Sequence, residues 1–132
     1  VKRYFLYLDD IRVPDSYKHY ALYDMIFVCR SAEDAYQMIL SHDWFNVHWE
    51  MSLDHDLGDG QPTGYDFVKR IIEYDMNVWP STAQTGDCSS TGRKFFNRLD
   101  VTVHSMNPVG KDNMLKLIEN YREQLKENAN VR

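Results

Sequence analysis

The feature that most constrains this chain is a set of short apolar runs that stop abruptly at acids or polar residues. Tyr4–Leu8 contains no polar break and ends at Asp9-Asp10. Val47–Leu53 runs into Asp54-His55-Asp56, and the β-branched segment Val101–His104 leads into Ser105-Met106-Asn107. An unbroken apolar run of this length is expected of a strand covered on both faces, as in a parallel sheet. Met25–Cys29 is a fourth segment of the same kind.

Helical spacing fills most of the intervals. Ser31 is a suitable N-cap, Asp34 gives the S-x-x-D form of the capping signal, and Glu33 and Asp34 suit the positive end of the helix dipole. Ala32, Ala35, Tyr36 and Ile39 carry that helix to about His42. After the glycine- and aspartate-rich loop Leu57–Pro62, Thr63 caps a second helix with Tyr65, Val68, Ile72 and Met76 on one stripe and Phe67 and Ile71 beside it. Asn107-Pro108 offers a cap and a first-turn proline for a third, which carries Met114, Leu117, Ile118, Tyr121 and Leu125 and frays after Lys126.

Two stretches read as irregular: Arg12 to Tyr23, broken by Pro14, and Asn77–Arg98, which holds Pro80, a polar run from Ser81 to Gly92 and a helical turn or two around Lys94–Arg98. The order β, β, α, β, α, β, α favours a doubly wound, mostly parallel α/β sheet in one domain over residues 1–132. A helix between the first two strands is missing from the pattern.

Charge narrows the function. Fifteen basic against twenty acidic residues give a net charge of −5, which argues against a broad footprint on duplex DNA and leaves room for a small nucleotide or an RNA end. Cys29 and Cys88 lack metal-type spacing and read as reduced thiols. The start of the chain is too short for a signal-peptide core, and no stretch approaches the ~18 apolar residues of a membrane span. A cytoplasmic protein with no membrane partner is the expectation.

In open α/β sheets, ligands bind beyond the carboxyl ends of the strands. Parallel strands would therefore gather Asp9, Asp10, Asp54, Asp56, His55 and His104 in one crevice. Aspartate is also common where strands become loops, but clustered carboxylates need their repulsion offset, and a hard cation such as Mg²⁺ would do this. His19, His42 and His48 lie in loop or strand-edge contexts. His55 and His104 make an acid–base pair plausible, imidazole having an intrinsic pKa near ~6.5. Asn107-Pro108-Val109-Gly110 sets a helix N-terminus at a strand exit, where Gly110 would let a phosphate approach, and Arg12 offers a fork of donors for it.

Leu8-Asp9-Asp10-Ile11-Arg12-Val13-Pro14, Ser52-Leu53-Asp54-His55-Asp56-Leu57-Gly58 and His104-Ser105-Met106-Asn107-Pro108-Val109-Gly110, with Asn113-Met114 and the Thr63-Gly64-Tyr65-Asp66 helix start, resemble the cyclic-phosphate-processing receiver-domain family. The resemblance spans nearly the whole chain, with Asn77–Arg98 the poorly matched part. It implies a receiver-like, flavodoxin-like three-layer sandwich with four to five strands. It also implies that Asp9, Asp10 and Asp54 match the acids that hold Mg²⁺ (or Mn²⁺) and accept a phosphoryl group in receivers, and that His55 and His104 are the family's added histidines.

The activity so implied is a metal-assisted phosphoesterase on a cyclic phosphate of a nucleotide or RNA end. One histidine would activate water and the other protonate the ribose oxygen, while Arg12, Ser105, Asn107, Gly110 and Asn113 bind phosphate. A covalent variant uses Asp54 as nucleophile and Asp56 as acid–base. The usual receiver lysine after a fifth strand is absent, Lys111 being in another context, which disfavours phosphorelay. The alternatives are a non-catalytic module binding a phosphorylated ligand or a partner protein, and a purely structural cation.

Overall fold

The computed structural model describes residues 2–14, 21–42, 47–83, 96 and 99–130, with the backbone alone at 78–83 and 128–130. Four strands, β1 (Lys2–Leu8), β2 (Met25–Cys29), β3 (Val47–Leu53) and β4 (Leu99–Val103), form one sheet in the order β2-β1-β3-β4. Every pairing is parallel. Three helices, α1 (Ala32–Leu40), α2 (Gly64–Ala83) and α3 (Pro108–Asn130), flank it. This is the receiver-like, flavodoxin-type α/β fold expected from the alternation of runs.

The direction of the crossovers explains where the helices lie. The connections β2-α1-β3 and β3-α2-β4 both advance the same way across the sheet, and right-handed crossovers advancing the same way place their helices on the same face. Side-chain rows agree. Leu6, Met51 and Val101 are laterally paired, as are Leu8, Leu53 and Val103, and both rows pack into one core with Ala35 and Ile39 of α1, Phe67, Val68 and Ile71 of α2, and Met114 and Ile118 of α3.

The alternate row of each strand faces the other way. It carries Arg3, Phe5 and Tyr7 on β1, His48, Glu50 and Ser52 on β3, and Asp100 and Thr102 on β4, none of which joins that core. Arg3 and Tyr23 both bond the Glu50 carboxylate, and His48 Nε2 lies 2.8 Å from Asp100 Oδ2. Between β1 and β2 the described residues, 9–14 and 21–24, are loop and turn. No helix of a second layer stands there among the described residues.

Local chemistry fixes the helix starts as read. Ser31 Oγ accepts the Asp34 N–H at 3.1 Å, and Thr63 and Asp66 cap α2 reciprocally, Thr63 N–H to Asp66 Oδ2 at 2.8 Å and Asp66 N–H to Thr63 Oγ1 at 3.2 Å. Arg70 ties α2 to α1 through Glu33 at 2.7 Å and the Tyr36 ring at 3.8 Å. Tyr121 donates to the buried Asp75 carboxylate at 2.5 Å, joining α3 to α2, and burial pushes its phenol pKa upward.

The boundaries differ from expectation at four places. β1 begins at Lys2, two residues before the apolar run. β4 begins at Leu99, and His104 falls just beyond its end. α2 continues past Asn77 and Pro80 to Ala83: a proline removes one backbone donor, and here the ladder carries on beyond it. α3 continues past Lys126 to Asn130, a polar turn with no apolar stripe to announce it. The expected turn around Lys94–Arg98 lies outside the described residues apart from a buried Phe96, as do Cys88 and His19. Cys29 is buried beneath α1, and burial raises its thiol pKa to about 11.

Gly64 is required by packing. A Cβ there would lie 2.0 Å from the Asp54 carbonyl oxygen and 2.9 Å from Met114 Cε. Backbone cannot step aside as a flexible side chain can, so Gly64→Ala should destabilise the fold by about 1–3 kcal/mol. Urea unfolding would show this as a lower midpoint at unchanged slope.

Candidate functional site

The register builds the site. Leu8 pairs with Leu53 and Leu53 with Val103, so the next residue of each strand falls in a common lateral row: Asp9, Asp54 and His104. The ladder extends through this row, with Asp54 N–H donating to Leu8 O at 2.9 Å, His104 N–H to Leu53 O at 2.9 Å and Asp9 N–H to Cys29 O at 3.1 Å. With neighbouring strands ~4.8 Å apart and a side-chain period of two, all three side chains leave the face opposite the core.

Asp9 is the hub. It is 1% exposed and its carboxylate meets four donors. Oδ1 accepts the Ile11 N–H at 2.9 Å and the Arg12 N–H at 2.8 Å; Oδ2 lies 2.9 Å from Arg12 Nε and 3.0 Å from His104 Nε2. Burial alone would raise the Asp9 pKa, but the two backbone donors, His104 and the Arg12 charge together hold it below the ordinary carboxylate value. Arg12 reaches on to Asp54, Nη2 standing 3.5 Å from Oδ2, while Asp54 Oδ1 accepts the His55 N–H at 2.8 Å. Arg30, the residue after β2, bonds the carbonyls of Asp9 at 3.1 Å and Arg12 at 2.6 Å and so pins the loop.

His104 is held on three sides. Nε2 faces Asp9, Nδ1 lies 2.7 Å from Ser52 Oγ, and the Tyr7 ring stacks on the imidazole at 4.6 Å with planes 1° apart. An ionised carboxylate only accepts, so Nε2 is the nitrogen that carries hydrogen. Ser52 and Tyr7 were not among the residues singled out from the sequence. The signal was there: each precedes a site aspartate by two, which in a strand means the same face.

Beside this row lies a cavity of about 640 Å³ lined by Asp9, Asp10, Ile11, Arg12, Asp54, Asp56, Gly58, Asp59 and Met106. Its five carboxylates face one guanidinium. Asp9, Asp54 and His104 each offer a donor atom within 4.8 Å of the others. An oxygen-rich set with excess negative charge is the chemistry that suits Mg²⁺ or Mn²⁺, and the carboxylates of Asp9 and Asp54 fit such an ion, with Asp10 at the cavity wall beside them.

The family model of the cyclic-phosphate processing receiver domain matches residues 4–120. The chain belongs to that family. No curated protein and no solved structure matches it. Among the described residues of this receiver domain, no helix is long and apolar enough to cross a membrane.

Within the receiver domain the second histidine is elsewhere than expected. The His55 ring packs against Gly110, where a Cβ would fall 2.5 Å from His55 Cγ, and its Nδ1 bonds Asp56 Oδ1 at 2.8 Å. It lines a separate cavity of about 500 Å³ with Thr63, Tyr65, Asn113, Lys116, Leu117 and Asn120. Of the two cavities, His55 lines only this one, and His104, held by Asp9, Ser52 and Tyr7, lines neither. The reason is the strand period: His55 is one residue beyond the lateral row and turns to the helical side.

Gly110 likewise makes room for an imidazole ring, which corrects its reading as a gap for phosphate, and its N–H is taken by Asn107 Oδ1 at 3.0 Å. Ser105 Oγ accepts the Asn107 N–H at 3.0 Å. Ser105, Asn107 and Gly110 thus build the α3 cap, and Asn113 belongs to the second cavity; none of them lines the acidic one.

Asp9 also sets a pH dependence. A carboxyl whose folded pKa lies below its unfolded value, near 3.8, adds stability that is present above the unfolded value and lost as pH falls through the folded one. Asp9→Asn should destabilise the domain at pH 7 by about 1–3 kcal/mol. It should also flatten the acid limb of a stability profile recorded by urea unfolding from pH 7 downward, whereas an acid limb as steep as the wild type's would show that Asp9 is not its source.

Proposed function

We propose that this receiver domain is a metal-assisted phosphoesterase that opens a cyclic phosphate, of a nucleotide or an RNA end, by adding water. The observation that supports it most directly is the lateral row Asp9, Asp54 and His104 beside an acidic cavity, with one guanidinium across both carboxylates. Asp9 and Asp54, with Asp10 from the wall, would hold Mg²⁺ or Mn²⁺, whose chemistry there is Lewis-acid stabilisation of charge growing on the phosphoryl oxygens.

The chain's own groups supply the rest. Arg12, 46% exposed on its loop, has the fork of donors that matches two phosphoryl oxygens. Asp56 lines the cavity and is oriented by His55, so Asp56 takes a proton from the incoming water as its oxygen bonds to phosphorus. The bond from phosphorus to one ribose oxygen breaks, and doubly protonated His104 gives its Nε2 proton to that oxygen. The ring is left neutral, with its remaining N–H on Ser52. Proton return from Asp56 through solvent completes the cycle. His55 acts in this scheme through Asp56, as a positioning residue.

One observation favours a second reading, a non-catalytic module that binds a phosphorylated ligand. Asp9 already has four donors, and both His104 nitrogens are engaged. A panel of 2′,3′- and 3′,5′-cyclic phosphates with Mg²⁺ or Mn²⁺, followed by phosphorus NMR, separates the two. The enzyme opens at least one member, and His104→Ala lowers kcat by roughly 10²–10⁴ with ligand affinity kept. No turnover with tight binding of one member establishes the module.

The cation is tested apart from activity. The Arg12 guanidinium occupies the ground between Asp9 and Asp54, so Arg12→Gln should tighten Mn²⁺ binding, followed by electron paramagnetic resonance, by about fivefold. Asp54→Asn should weaken it, and an affinity indifferent to both changes would remove the cation from these residues.

A further inference from the structure

The acidic cavity has an apolar mouth. The four most exposed large hydrophobic side chains among the described residues are Met106 at 85%, Ile11 at 79%, Val109 at 70% and Val13 at 64%. All four follow β1 or β4 at the carboxyl edge of the sheet, and Ile11 and Met106 line the cavity itself. Single exposed hydrophobics are ordinary on a protein surface; here four lie on the segments that follow two strands, Val109 in the first turn of α3 and the others on loops, and two of them line one polar cavity.

Their spacing suits a flat ring. β3 lies between β1 and β4, so the two loops rise from strands two spacings apart, ~10 Å. A planar ring held between aliphatic carbons at contact distance needs ~7–8 Å between those carbons. Side chains projecting from segments ~10 Å apart can reach that separation. The floor between them carries Asp54, Asp56, Gly58 and Asp59 from the loop after β3.

We infer that Ile11 and Val13 on one side, and Met106 and Val109 on the other, form a slot for the nucleobase of a nucleoside cyclic phosphate. This rests on the reading of the acidic cavity as the phosphate site. The ligand is a nucleoside cyclic phosphate, and a cyclic phosphate on a bare sugar lacks the group the slot holds. Isoleucine, valine and methionine present no strong hydrogen-bonding groups, so the slot takes purines and pyrimidines alike, and methionine adapts to either ring.

Isothermal titration in Mg²⁺ tests it, using the 2′,3′-cyclic phosphates of adenosine, guanosine, uridine and cytidine, and the 2′,3′-cyclic phosphate of methyl riboside, which has no base. The four nucleosides should bind within about threefold of one another, and the base-free compound about tenfold or more weaker. The double variant Ile11→Ser, Met106→Ser should bring the nucleosides down to the base-free level and leave the base-free affinity unchanged. Both side chains are exposed, and a circular dichroism spectrum equal to the wild type's shows the fold is kept.

Equal binding of nucleoside and base-free compound by the wild type overturns the slot while leaving the cyclic-phosphate reading standing. Binding of neither overturns both. A variant that keeps the base preference puts the base elsewhere, and a wild-type dimer by light scattering that the variant abolishes assigns these side chains to a protein contact instead. A dinucleotide ending in the cyclic phosphate separates the ligand's two sources: binding as tight as the mononucleotide points to an RNA end, weaker binding to a free cyclic nucleotide, and either keeps the slot.

Discussion

A carboxylate removed from water persists in ionised form only where donors replace its hydration, and the described structure is organised around one such group. Asp9 is met by two backbone N–H groups, a guanidinium and an imidazole. The backbone donors bend the chain after β1 into a turn. The guanidinium links that turn to Asp54 just after β3, and the imidazole links it to the residue after β4. Three strand ends and one loop are thereby held by a single side chain. Strand pairing brings these groups near; the charge on Asp9 decides how they face one another.

The sheet contributes by being two-sided in character. One face is an aliphatic and aromatic core under three helices, the other a row of polar and aromatic side chains ending in the site. Because the site row lies on the second face, its supports come from the sheet itself: Tyr7 stacks on His104, and the small Ser52 on the strand between leaves space for the rings to meet. A larger residue at position 52 would stand where the stack passes. The choice of a serine there answers two needs, clearance and a hydrogen bond to Nδ1.

The strands and helix starts were legible in the sequence because each has a local cause. Met25–Cys29 and Val47–Leu53 have the bounds their patterns suggested, and Ser31 and Thr63 cap as their side chains allow. Asp9, Asp54 and His104 could be assembled from the rule that parallel strands gather their carboxyl ends. What local pattern could not give was direction. His55 and Asp54 are neighbours in sequence and turn to opposite sides, and Gly110, read as clearance for a ligand, is clearance for His55. The helix beyond Asn77 and the helical tail were also hidden, the first behind a proline at position 80 and the second in a run with no apolar stripe. Ser52 and Tyr7 looked like ordinary strand residues until lateral pairing put them beside the histidine.

The lateral row also bears on how the chain acquires its site. Asp9 and His104 are 95 residues apart, and β1 cannot pair with β3 until the segment carrying β2 and α1 has looped back. Closing such loops is slow and entropically costly, and contacts between distant segments form late in topologies of this kind. During synthesis the row is incomplete until β4 has emerged and docked, so a nascent chain stopped before that point presents two carboxylates without their imidazole. Assembly of the sheet and appearance of the site are therefore one event.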